Sequence, residues 1–129
     1  MSTRPVLTIA ALLLCATACG EDGAAAECII PPCALRTAVQ LTVTSARGPG
    51  PVAGVTLVVA GAVSGSGACS QGDVTTCLVP GTGGTYEIDV RAPGYQTAHR
   101  TVTVTATPRE CSCPLVDTQR VDVVLTPAA

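Results

Sequence analysis

The sequence predicts an all-β fold: a single Greek-key β-sandwich of about seven strands, stapled by disulfides. Three observations carry the prediction. Val (17) and Thr (18) crowd a chain of 129 residues, a β-branched excess that suits pleated, half-buried surfaces. Apolar and polar residues alternate with period 2 in run after run. Gly- and Pro-rich turn signals separate those runs. The length is room for one domain plus an export segment. No segment carries a helical period.

The elements follow in chain order. The first strand covers 39–44, with Val39, Leu41 and Val43 on one face. Gly48-Pro49-Gly50-Pro51 turns the chain, and Val55, Leu57 and Val59 repeat the pattern. Residues 60–68, small and rich in Gly and Ser, read as a long connector. A weaker strand covers 74–79 around Cys77, and Gly81-Thr82-Gly83-Gly84 turns into the next. Residues 86–91 alternate apolar Tyr86, Ile88 and Val90 with charged Glu87, Asp89 and Arg91. Pro93-Gly94 suits the two central positions of a type II turn, where Gly supplies positive φ. Strands at 101–105 and 121–126 complete the set. The core would be Val, Leu, Ile and Ala with hardly any aromatic residue.

Composition excludes several functions. Net charge is −2 with a pI of about 5.1, against the basic footprint of nucleic-acid binders. Charged residues are 12%, about half the usual share; there is no Lys, and Arg carries every positive side chain. Tyr86 and Tyr95 are the whole aromatic complement, so stacking platforms are missing. With one His and no Asn, most metal clusters and N-glycosylation sequons are excluded. No cofactor is expected.

The first residues read as an export signal. Arg4 supplies a positive start, and residues 6–14 form an apolar run too short for the roughly 20 residues of a membrane span. Ala16-Thr17-Ala18-Cys19 follows. This resembles a bacterial lipoprotein signal, departing from it at Ala16, where Leu is usual. The resemblance implies a signal peptide over 1–18 and lipidation of Cys19, hence a membrane anchor, because two or more acyl chains hold a protein stably where one does not. Residues 19–34 then hold the lipidated Cys and a flexible tether. Gly20 after the Cys, rather than Asp, implies the outer membrane.

Removing Cys15 and Cys19 leaves six cysteines, an even number in an exported chain and the arithmetic of a disulfide framework. Cys69 and Cys77 flank a short segment and are expected to pair. Cys111 and Cys113 have little room to bridge each other. Cys28 and Cys33 would each take one of them, in either order. On the loop-entropy relation the local bridge is worth about 2.6 kcal/mol and each long one about 4.6. A four-thiolate metal site is the rival reading, disfavoured by the one-residue gap between Cys111 and Cys113 and by the compartment.

Gly50-Pro51-Val52-Ala53-Gly54-Val55-Thr56-Leu57, Gly84-Thr85-Tyr86-Glu87-Ile88-Asp89-Val90 and Pro93-Gly94-Tyr95 together carry a second resemblance. Their order is similar to that of carboxypeptidase regulatory-like domains. That resemblance implies a prealbumin-like (transthyretin-like) seven-stranded sandwich over 35–129 and a non-catalytic structural or binding role. The cysteine-bearing segments around 64–72 and 111–114 depart from the pattern.

No enzyme is expected. Ser64, Ser66 or Ser70 with Asp73 and His99 would supply the groups of a hydrolytic triad, yet none lies in a nucleophile-elbow sequence. His99 reads as a solvated surface imidazole, and Glu87 and Asp89 as a solvent face. The alternative function is a small carbohydrate- or peptide-binding module. Arg91, Tyr95 and Arg100 are its candidate contacts to an envelope protein or a glycan.

Overall fold

The computed structural model describes residues 28–30 and 32–129. The signal peptide expected over 1–18, the expected lipidation site Cys19 and residues 20–27 lie outside the described residues. The described residues form nine strands: β1 (Arg36–Ser45), β2 (Thr56–Gly61), β3 (Ala68–Gln71), β4 (Thr75–Gly81), β5 (Gly84–Arg91), β6 (Ala98–Val104), β7 (Ala106–Arg109), β8 (Ser112–Val116) and β9 (Gln119–Leu125). Seven of them build the sandwich. One sheet has the order β3-β4-β1-β9 and the other β2-β5-β6, while β7 and β8 pair only with each other.

The alternation read from the sequence decides which face is buried. In β5, Tyr86, Ile88 and Val90 are fully enclosed, and the residues between them face outward. Leu41, Val43, Val79, Val123 and Leu125 come from the four-stranded sheet, and Leu57, Val59, Val102 and Val104 from the other. β1 breaks strict alternation once: Ala38 and Val39 are both buried, because a register shift between Thr37 and Val39 inserts a residue against β4.

The β1–β2 connection is pinned to the body of the domain. Val52 is buried, and its N–H donates to Thr75 Oγ1 at 2.9 Å. The Thr75 hydroxyl and the Gln71 amide in turn donate to the Val52 carbonyl at 2.9 and 3.1 Å. The Pro93-Gly94 turn takes the expected form, with Gly94 at φ 82° and Tyr95 N–H donating to Ala92 C=O at 3.1 Å.

Two features differ from the sequence expectation. The connector expected over 60–68 is shorter, since Val59 and Gly65 already pair and β3 begins at Ala68. β3 shows no alternation; it is a strand because Cys69 lies opposite Cys77 on β4 and is bonded to it. The second feature is the β7–β8 hairpin, which carries Cys111 at its tip with φ 54°, a left-handed conformation uncommon outside Gly.

The register gives the sandwich two ends. Arg36 pairs with Gly81 at one end of β1, and Val43 with Thr75 toward the other. β9 runs parallel to β1, from Gln119 beside Val39 to Leu125 beside Ser45. The β7–β8 hairpin and the N-terminal arm lie at the Arg36 end, and the loops after β1 and β5 lie at the Ser45 end. Ten residues of β1 separate the two by about 30 Å.

Candidate functional site

Three places gather chemistry, and the residues that sequence reasoning brought forward are spread over them. At the Ser45 end, Tyr95 is half-buried; its hydroxyl bonds Ser45 Oγ at 2.9 Å. The Arg47 guanidinium lies over its ring at 5.4 Å, within cation–π range. Backbone bonds from Gln96 to Thr126 and from Ala128 to Gly94 join the same turn to the chain leaving β9. Tyr95 thus ties the β5–β6 turn to the opposite sheet. Arg91 and Arg100 do not join it in one patch. Arg91 pairs with Asp89 at 3.5 Å on the outer face of β5. Arg100 stands opposite Ile88, on the other face of the sheet, with its head on the His99 carbonyl at 2.8 Å.

The second place is the outer face of β5 and β6. His99 stands opposite Asp89, and Thr101 opposite Glu87. His99 Nδ1 lies 2.6 Å from Asp89 Oδ1, and Nε2 lies 2.7 Å from Glu87 Oε2. Thr101 Oγ1 also donates to Glu87 at 2.8 Å. The imidazole is exposed, as expected, yet it bridges two carboxylates instead of standing free. Both ring nitrogens can donate to carboxylates only in the imidazolium form. Asp89 first and Glu87 second hold His99 above its ordinary range. Thr101 and then His99 hold Glu87 below the usual carboxylate range, and His99 does the same to Asp89. The two carboxylates sit at opposite edges of the ring, so they do not converge on one point. Among the described residues no three His, Cys, Asp or Glu side chains form a metal-holding group. Ser70 and Asp73 belong to the β3 edge of one sheet and its following turn, and His99 to the β6 edge of the other, so the fold does not assemble them.

The bridge has a pH signature. Stability from raised His99 is fully present below the ordinary imidazole value of 6.5 and is lost as pH rises through the higher folded value. Stability from lowered Glu87 and Asp89 is present above 4.5 and 3.8 and is lost as pH falls through the lower folded values. The cluster therefore contributes most between 4.5 and 6.5. The thermal midpoint is expected to decline on the alkaline side of that window in the wild-type chain and to decline less in His99→Gln. Parallel declines in both chains would remove the bridge as the cause.

The third place is the Arg36 end. Cys28 bonds Cys111 and Cys33 bonds Cys113, which gives the order that spacing left open. Both bridges fasten the N-terminal arm to the β7–β8 hairpin. Between arm and hairpin lies a pocket of about 120 Å³, lined mainly by apolar atoms of Cys33, Leu35, Gly81, Ala106, Pro114 and Val116. Leu35 (69% exposed) lines it; Ile29 (92%) and Ile30 (43%) are exposed on the same arm, and Leu115 (51%) stands on the face of β8 opposite the lining residues Pro114 and Val116. Sequence reasoning missed this surface, because residues 28–35 have no periodicity and the hairpin was not foreseen. The His99 bridge had a readable signal: residues 89 and 99 lie five positions either side of Gly94, and 87 and 101 seven.

A family model for the PEGA domain matches residues 71–116, the stretch from the end of β3 through β8. PEGA domains are small β-rich domains found in exported proteins. None of the curated proteins compared with the chain matches it. The match and the three disulfides agree on an exported, extracellular protein.

Proposed function

We propose that the chain is an envelope lipoprotein, anchored through Cys19 at the outer membrane, whose sandwich is a non-catalytic structural or binding module. The observation that carries this reading is where the staples sit. Cys28 and Cys33 are the first cysteines after the lipobox-like Ala16-Thr17-Ala18-Cys19, and both are covalently fixed to the hairpin. A pull on an anchor at Cys19 is then carried by covalent bonds into the folded body, without first peeling β1 from its sheet. The two packed sheets and the Pro93-Gly94-Tyr95 turn also support the likeness to carboxypeptidase regulatory-like domains. In this reading the loops at the Ser45 end, with Tyr95 and Arg47, are the part that meets an envelope protein or glycan.

Intact mass of the protein extracted from native membranes tests the reading. The expected mass begins at Cys19 and includes acyl chains, and six cysteines resist alkylation until reduction. A chain of unmodified mass beginning elsewhere refutes the anchor. Thiols that alkylate without reduction refute the staples.

A further inference from the structure

We infer that the Arg36 end of the sandwich docks on the bilayer surface through the apolar pocket and the exposed apolar rim of the N-terminal arm, Ile29, Ile30 and Leu35. The inference rests on the anchored reading above and adds an orientation to it. Three large apolar side chains of the arm, 43 to 92% exposed, one of which (Leu35) lines the apolar pocket, form the kind of surface that marks an interaction site. The disulfides keep that surface assembled, since Ile29 and Ile30 lie between two cysteines bonded to the hairpin whose Pro114 and Val116 line the pocket.

The length of chain before the described residues argues for lipid as the occupant. Eight residues lie between Cys19 and Cys28, and the connection spans about 30 Å at most when fully extended. An anchor at Cys19 therefore keeps this end within about one domain length of the membrane. Charge does not steer the contact. Arg36 lines the pocket and Arg109 donates to the Cys113 carbonyl at 3.0 Å, while Glu110 and Asp117 border the same end with the opposite sign. Docking is thus driven by apolar area and changes little with salt. The Pro93-Gly94-Tyr95 turn at the opposite end is consequently held away from the bilayer.

The chain has no Trp, so one introduced Trp is a unique reporter. Leu35→Trp and Ile30→Trp place it on the exposed rim, and Val124→Trp places it on β9, at a residue 53% exposed and paired with Thr44 near the opposite end. Each full, processed protein is reconstituted into phosphatidylethanolamine–phosphatidylglycerol vesicles containing acyl-brominated lipid. Leu35→Trp and Ile30→Trp are expected to be blue-shifted and quenched several-fold more than Val124→Trp. Equal quenching at all three positions overturns the inference. So does a rim Trp that shifts only when envelope proteins are added, which assigns the surface to a protein partner. Intact mass of the same samples reads the anchor separately. If acyl chains are missing, the anchored reading fails, and rim quenching without them still supports docking while its absence overturns it.

Discussion

Converting Cys28, Cys33, Cys111 and Cys113 together to Ser is expected to cost about 7 kcal/mol, whereas breaking either long bridge alone costs about 2.6. The asymmetry comes from nesting. Cys28–Cys111 and Cys33–Cys113 span 83 and 80 residues, so each by itself restrains the unfolded chain by about 4.6 kcal/mol. Once one is closed, the other adds only a small ring made of residues 28–33 and 111–113. Its loop entropy is then close to that of Cys69–Cys77, which spans 8 residues. Stabilities of domains this size are about 5–15 kcal/mol, so the four-Ser chain is expected to be largely unfolded while either two-Ser chain still folds. Urea midpoints of the three variants check this. A single-bridge variant as unstable as the four-Ser variant would defeat the nested account.

Tyr86→Ala is expected to destabilise the domain by about 3–5 kcal/mol, as deletions of large buried aromatics do. Tyr86 is fully enclosed and is the largest buried side chain. Its hydroxyl accepts the Thr82 N–H at 2.9 Å and donates to the Thr82 carbonyl at 2.5 Å, closing the β4–β5 connection that passes between the sheets. Tyr86→Phe removes only those bonds and is expected to cost about 1–3 kcal/mol. Gly81 is tied to the same atom, since a Cβ there would overlap the Tyr86 hydroxyl. Gly81→Ala should therefore be destabilising alone and partly relieved in combination with Tyr86→Phe, with a coupling of about 0.5–3 kcal/mol in thermal or urea unfolding. Strict additivity of the two changes would show that the hydroxyl is not what Gly81 accommodates.

The parts of the fold legible in the sequence are those where one strand's pattern decides its own burial. β5 is the clearest, with apolar residues inside and charged ones outside at every step, and the Pro93-Gly94 turn is nearly as clear. β3 is illegible because Ala68–Gln71 buries no face of its own; opposition to β4 and the bond between Cys69 and Cys77 make it a strand. The β7–β8 hairpin is hidden for a similar reason: its residues are mostly exposed, and its partner across the pocket is an arm with no periodicity. At the candidate sites, the side chains of Glu87, Asp89 and His99 were each visible. Their bridge depends on a register that no single strand carries.

By itself the sequence determined the all-β class, the inward faces of β1, β2 and β5, and the six-cysteine framework, because period-2 alternation and cysteine parity are properties of local order along a chain. Tertiary structure alone decided the order of the long disulfides, the parallel seating of β9 beside β1, the separation of Arg91 and Arg100 onto opposite faces, and the apolar rim at the Arg36 end. Each of these joins residues far apart in sequence, and such contacts are selected by how whole sheets pack and where the chain crosses between them, not by the preference of any one segment.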